Sequence, residues 1–122
     1  MSEPVYTPEE ANEMLPGLRQ SLIRIREARQ VVLRGAERIG KVATLNGGGA
    51  QRTEYWEALD TLRAEVESLS ERGIVLRDPE AGLIDFPARR DGRDVFLCWR
   101  LDEERVEYWH GPETGFAGRQ PL

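Results

Sequence analysis

Apolar residues recur along the first half of the chain at alternating spacings of three and four. Leu15, Leu18, Leu22, Ile25, Val32, Ala36, Ile39 and Ala43 mark one seam, and only Arg29 breaks its polarity. That spacing is one face of a helix in a heptad pattern. Thr7-Pro8-Glu9-Glu10 supplies a start: Thr7 caps, Pro8 suits the first helical position, and Glu10 completes a capping box. Pro16 lacks a donor and disfavours helical geometry at Leu15, so a short helix followed by a kink or restart is expected there. Asn46-Gly47-Gly48-Gly49 predicts the helix end and a turn. From about Gln51 the seam resumes through Tyr55, Leu59, Leu62, Val66 and Leu69, and Gly73 stops it. Folding two antiparallel helices about Gly47 sets Ile39 near Tyr55, Val32 near Leu62, and Arg29 near Val66 and Glu65. Ile23, Val31, Leu33 and Trp56 lie off the seam, as a second apolar stripe that would face the sheet or another subunit.

After residue 73 the period changes to two. Gly82-Leu83-Ile84-Asp85-Phe86-Pro87, Val95-Phe96-Leu97-Cys98-Trp99-Arg100 and Arg105-Val106-Glu107-Tyr108-Trp109-His110 predict three strands of an antiparallel meander, and Ile74-Val75-Leu76 a short fourth. A two-residue loop at Asp91-Gly92 pairs Phe86 with Leu97, Ile84 with Trp99 and Asp85 with Cys98. A matching loop at Asp102-Glu103 pairs Trp99 with Val106, Leu97 with Tyr108 and Cys98 with Glu107. One face then carries Ile84, Phe86, Leu97, Trp99, Val106, Tyr108 and His110 toward the helices. The other carries Asp85, Cys98 and Glu107 in a row, walled by Phe96 and Trp109. The tail from Gly111 to Leu122 is too rich in Gly and Pro for a regular element, with Phe116 and Arg119 able to fold back over an edge or a carboxylate.

These patterns specify an α+β fold: a long antiparallel helical hairpin packed on a three-stranded antiparallel β-meander. A single domain is expected over residues 1–122, with helices in 7–73, the meander in 74–110 and the tail in 111–122. A chain of 122 residues with 39% hydrophobic content suits one modest core. No stretch approaches the roughly 18 apolar residues of a membrane span, and the N-terminus lacks a secretory pattern, so a cytoplasmic location is expected. Net charge is −5, yet residues 18–44 are basic and residues 45–73 acidic. Mutual pairing of the helices accounts for that sorting, and an acidic whole excludes nucleic acid as the expected partner.

The chemistry-bearing residues concentrate in the sheet and tail. Neighbouring carboxylates at Asp85 and Glu107 can share a proton or a divalent cation, with Cys98 between them. Strand parity in this register sends His110 to the opposite face from Cys98, where a strand-end histidine bonds to backbone. Both would join one site only through a bulge. Asp85, Cys98, Glu107, His110 and Arg119 are thus the ligand or metal candidates, with no catalytic residue assigned, no organic cofactor, and a divalent metal as the cofactor to look for. A lone cysteine without an adjacent base does not mark a thiol nucleophile.

The motifs Gly82-Leu83-Ile84-Asp85-Phe86-Pro87, Asp91-Gly92-Arg93, Leu97-Cys98-Trp99-Arg100, Tyr108-Trp109-His110, Gly115-Phe116 and Gly118-Arg119, with Glu10-Ala11-Asn12 and Leu15-Pro16, resemble the bacterial family called domain of unknown function 2203. Its members are sometimes labelled division-initiation-like. The resemblance implies fold and extent but no activity. The leading functional expectation is a small cytosolic protein that self-associates as a homodimer, its helical hairpin serving as assembly surface in a four-helix bundle. The alternative is a small-molecule or metal-binding enzyme with a polar site on the sheet.

Overall fold

The computed structural model describes residues 4–42 and 49–122, with side chains described for 4–37 and 53–122. Helix α1 spans Pro8–Val42 and helix α2 spans Gly49–Glu71. The capping box forms as its residues imply: Glu10 N–H donates to Thr7 Oγ1 at 3.1 Å, and Thr7 N–H donates to Glu10 Oε1 at 2.9 Å. The expected break at Pro16 does not occur, and α1 continues through it. Proline in a helix interior costs about 3 kcal/mol. Leu15, Leu18 and Leu22 beside it are buried, each contributing roughly 1.5–3 kcal/mol that a break would forfeit. Pro16 itself faces solvent, so the ring displaces nothing in the core.

The helices lie side by side in opposite directions, but about one turn away from the expected register. Arg24, not Arg29, reaches Glu65, with Nε 2.7 Å from Oε1. Gly35 backs onto Tyr55 so closely that a Cβ there would lie 2.7 Å from the ring. The expectations for Ile39, Ala43 and the turn itself lie outside the described residues. Arg29 and Gln30 turn instead to Glu80, and Arg26 donates to the Glu80 carbonyl, so the basic helix pins the first sheet turn.

The sheet has five strands, not three: β1 Val75–Asp78, β2 Leu83–Arg90, β3 Arg93–Arg100, β4 Tyr108–His110 and β5 Gln120–Pro121. They pair in sequence order, all antiparallel. The fifth comes from the tail, which also forms a short 3₁₀ turn, Phe116–Gly118. Its pairing with Tyr108 and Trp109 overturns the expectation of an irregular tail. Pro121 is tolerated because β5 is an edge strand that needs no outward donor.

The β2–β3 hairpin has the expected register, with Asp85 opposite Cys98 and Phe86 opposite Leu97. Asp91 and Gly92 both take positive φ, 53° and 75°, as a two-residue loop matched to strand twist requires. Ile84, Phe86, Ala88, Val95, Leu97 and Trp99 form the sheet's contribution to the core against Ala11, Leu15, Leu18, Leu22 and Ile25 of α1. No described helix is long and apolar enough to cross a membrane.

Candidate metal centre

The site depends on how β3 connects to β4. A turn does form after Arg100, where Glu103 N–H donates to the Arg100 carbonyl at 2.8 Å, but the chain does not return at once. Arg19 of α1 grips the connection, donating to the carbonyls of Leu101, Glu103 and Glu104. Asn12 Oδ1 accepts from Val106 N–H at 2.8 Å, and the Val106 side chain is buried in the core. Much of the segment 101–107 is therefore held by α1 and does not enter a β3–β4 ladder. Cys98 then pairs with Tyr108, Leu97 with Trp109 and Phe96 with His110, one residue displaced from the expected register.

Because strand side chains alternate, that single step exchanges the two faces of β4. Glu107 leaves the row. It is exposed, and its carbonyl accepts from Leu122 N–H. Trp109 crosses to the helix side and packs against the core, with the Arg90 guanidinium 4.8 Å from its ring centroid. His110 and Tyr108 arrive on the face of Asp85 and Cys98. The expected opposition of Cys98 and His110 is thereby corrected, and no bulge is needed.

Asp85, Cys98 and His110 each offer one ligand atom, and those atoms all lie within 4.8 Å of one another. All three residues are buried, at 1%, 0% and 1% exposure, although this face carries no helix. Aromatic and guanidinium groups roof it instead. The Phe96 ring lies 5.5 Å from the His110 ring, and Arg77 covers Phe96 at 5.2 Å. Arg119 lies 4.1 Å from the Tyr108 ring centroid and 4.2 Å from that of Phe116. A bidentate pair with Glu103, at 3.0 Å and 2.8 Å, holds Arg119 in place.

Each polar group has a defined setting. Asp85 Oδ2 accepts from Arg77 Nε at 2.7 Å and faces His110 Nε2 at 3.0 Å. Asp85 Oδ1 is different: among the described residues it is the one buried side-chain polar atom with no hydrogen-bond partner. Buried carboxylate oxygens are rarely left so, and an unmet one calls for an ordered water, an ion or a ligand as its partner. His110 Nδ1 lies 2.7 Å from the Gly111 carbonyl. A proton donated there allows Nε2 to turn its lone pair to a bound cation, in exchange for the hydrogen bond it makes to Asp85 Oδ2 without one, the arrangement by which a second-sphere carbonyl orients a metal-binding imidazole. Burial pushes the Cys98 thiol up to about 11; the Asp85 carboxylate adds to this, and the Arg119 guanidinium against the sulfur opposes it. A thiol so buried and so weakly acidic is no free nucleophile, whereas a bound cation would hold it as thiolate.

Of the five candidates, the structure brings Asp85, Cys98 and His110 together, sets Arg119 against Cys98, and removes Glu107. Arg77 was not foreseen. The signal was its place two residues beyond Val75, which pairs with Asp85, so extending the expected strand Ile74-Val75-Leu76 by one residue would have put it on the site's face. Glu103 carried no sequence signal, because its role is to hold a residue 16 positions away.

A family model described as an uncharacterised conserved protein family, DUF2203, matches residues 4–122 of the chain. No curated protein and no solved structure matches it.

Proposed function

We propose that this chain, which belongs to the DUF2203 family, binds one divalent transition metal of the zinc class through Asp85 Oδ1, Cys98 Sγ and His110 Nε2. The unpartnered, buried Oδ1 of Asp85, on a carboxylate that converges with a thiol and an imidazole, carries this reading. A mixed sulfur, nitrogen and oxygen donor set suits zinc and its neighbours, whereas calcium and magnesium ask for oxygen alone. Arg77 on Asp85 Oδ2 and the Gly111 carbonyl at His110 Nδ1 are the outer partners such ligands need to stay oriented. Three protein ligands leave a fourth position for water or a substrate group, the pattern of a catalytic rather than a structural zinc site. An enzyme acting on a small molecule is thus the activity class that this reading favours.

Cobalt(II) added to chelator-treated protein should give a thiolate charge-transfer band in the near ultraviolet, at one equivalent. The band should vanish in Cys98→Ser and weaken in His110→Gln. Protein that takes up no cobalt, or a band that survives in Cys98→Ser, would refute the assignment.

A second reading concerns assembly. Only Ala58 and Leu69 of the described α2 residues are buried, while Trp56, Leu33, Ile23 and Val66 are exposed at 52%, 51%, 43% and 38%. An exposed stripe of that kind on two paired helices supports self-association into a four-helix bundle. Sedimentation should show a dimer at micromolar concentration that Trp56→Glu dissociates, and a monomeric parent protein would end this reading.

A further inference from the structure

Resting on the metal assignment above, we propose that the fourth coordination position takes an anionic ligand, a small carboxylate or oxyanion, gripped by the outer edge of the Arg77 guanidinium. Arg77 presents two kinds of donor. Its Nε holds Asp85 Oδ2 at 2.7 Å, while among the described residues its two terminal nitrogens have no hydrogen-bond partner. An arginine anchored at Nε and stacked over a ring, here Phe96 at 5.2 Å, presents those remaining N–H groups as a fixed planar fork. Carboxylates and oxyanions match that fork with two parallel hydrogen bonds.

Charge points the same way. A divalent cation is balanced by the Asp85 carboxylate and the Cys98 thiolate, which leaves the Arg77 charge without a counterion at the site. Arg119, the other guanidinium, is already matched by Glu103 through both terminal nitrogens. The centre with its metal therefore carries one surplus positive charge, and it lies on Arg77. Access agrees as well: Asp85, Cys98 and His110 are buried, and the Arg77 side chain beside Asp85, 44% exposed, marks the side from which a ligand would enter. Arg77 also sits where the pairing of the edge strand β1 with β2 shifts register, between Leu76 and Asp78. Bulges of that kind re-aim side chains beside sites. A ligand bound there would touch the metal with one oxygen and the arginine with others.

The test uses the cobalt(II)-loaded full chain, titrated separately with acetate and with inorganic phosphate while the visible d–d bands are followed. At least one anion should shift the bands saturably, and which one responds distinguishes a carboxylate ligand from an oxyanion. In Arg77→Met at saturating cobalt the apparent affinity for that anion should fall about 10-fold or more, as expected for loss of a bidentate charge-assisted pair. Arg77→Lys, which keeps charge but not the fork, should lie between and guards against misfolding of the first variant. A loaded protein whose bands neither anion shifts, or an Arg77→Met protein with parental anion affinity, overturns this inference and leaves the metal assignment standing. Failure to take up cobalt overturns both.

Discussion

Asp85→Asn alters one atom in a buried network, and its cost can be worked from the contacts. The amide retains the size of the carboxylate but loses its charge. The interaction with His110 is fully buried, and hydrogen bonds to charged groups contribute roughly 1.5–3 kcal/mol. The contact with Arg77 is half in water, so solvent screening reduces it to under about 1 kcal/mol. Metal-free Asp85→Asn should therefore be less stable than the parent by about 2–3 kcal/mol, a sizeable part of the 5–15 kcal/mol typical of a folded domain. Zinc separates the two proteins further. At a free concentration about a thousandfold above its dissociation constant, a metal bound only by the native state adds roughly 4 kcal/mol. The parent should gain close to that amount and Asp85→Asn little of it. Urea denaturation followed by tryptophan fluorescence, on chelator-treated protein with and without zinc, measures all four stabilities. Equal metal-free stabilities would mean that the Asp85 contacts contribute nothing. An equal zinc increment in both proteins would remove Asp85 from the ligand set.

Three further perturbations address the frame that carries the site. Gly82→Ala should destabilise the protein by about 1–3 kcal/mol, since Gly82 holds φ at +68° and a Cβ would lie 2.7 Å from that of Leu101; thermal unfolding reads this directly. Asn12→Ala strips Val106 N–H of its acceptor and should cost about 1–3 kcal/mol, with early hydrogen exchange at Val106 as its local signature. Glu65→Gln tests pH linkage. Burial raises the Glu65 pKa, but hydrogen bonds from Arg24 and Ser21 and the charges of Arg24 and Arg72 outweigh it, so the folded value lies below the ordinary one. The resulting stabilisation is present above the unfolded pKa of about 4.3 and is lost as pH falls through the lower folded value. The parent should thus exceed Glu65→Gln by under about 1 kcal/mol at pH 7, Arg24 being half exposed, and the gap should close in acid.

Much of this arrangement is legible in the chain because it is written locally. Thr7 and Glu10 cap α1, Asp91-Gly92 sets a two-residue loop, and alternation then places Asp85 opposite Cys98. Two features are written across long separations and escape such reading. Arg19 and Asn12 draw residues 101–107 onto α1, so a loop predicted as two residues takes seven out of the ladder and exchanges the faces of β4. Pro121 pairs with Tyr108 of β4, and nothing in a Gly- and Pro-rich tail announces a strand. Tyr108 therefore stands opposite Cys98 where Glu107 was expected, and His110 comes to the face of Asp85 and Cys98. The shift of roughly one turn between α1 and α2 has a similar origin, since Gly35 against Tyr55 and Arg24 against Glu65 are contacts between residues far apart in the chain.

The connection from Arg100 to Tyr108 behaves as a counter that registers odd or even. Adding or removing one residue there would turn His110 away from Cys98 while leaving the strands themselves intact, whereas adding two would restore it. Length in this loop is thus under a constraint of parity rather than of size, and a single residue inserted beside the exposed Glu104 would move His110 further than a change of the Glu104 side chain would.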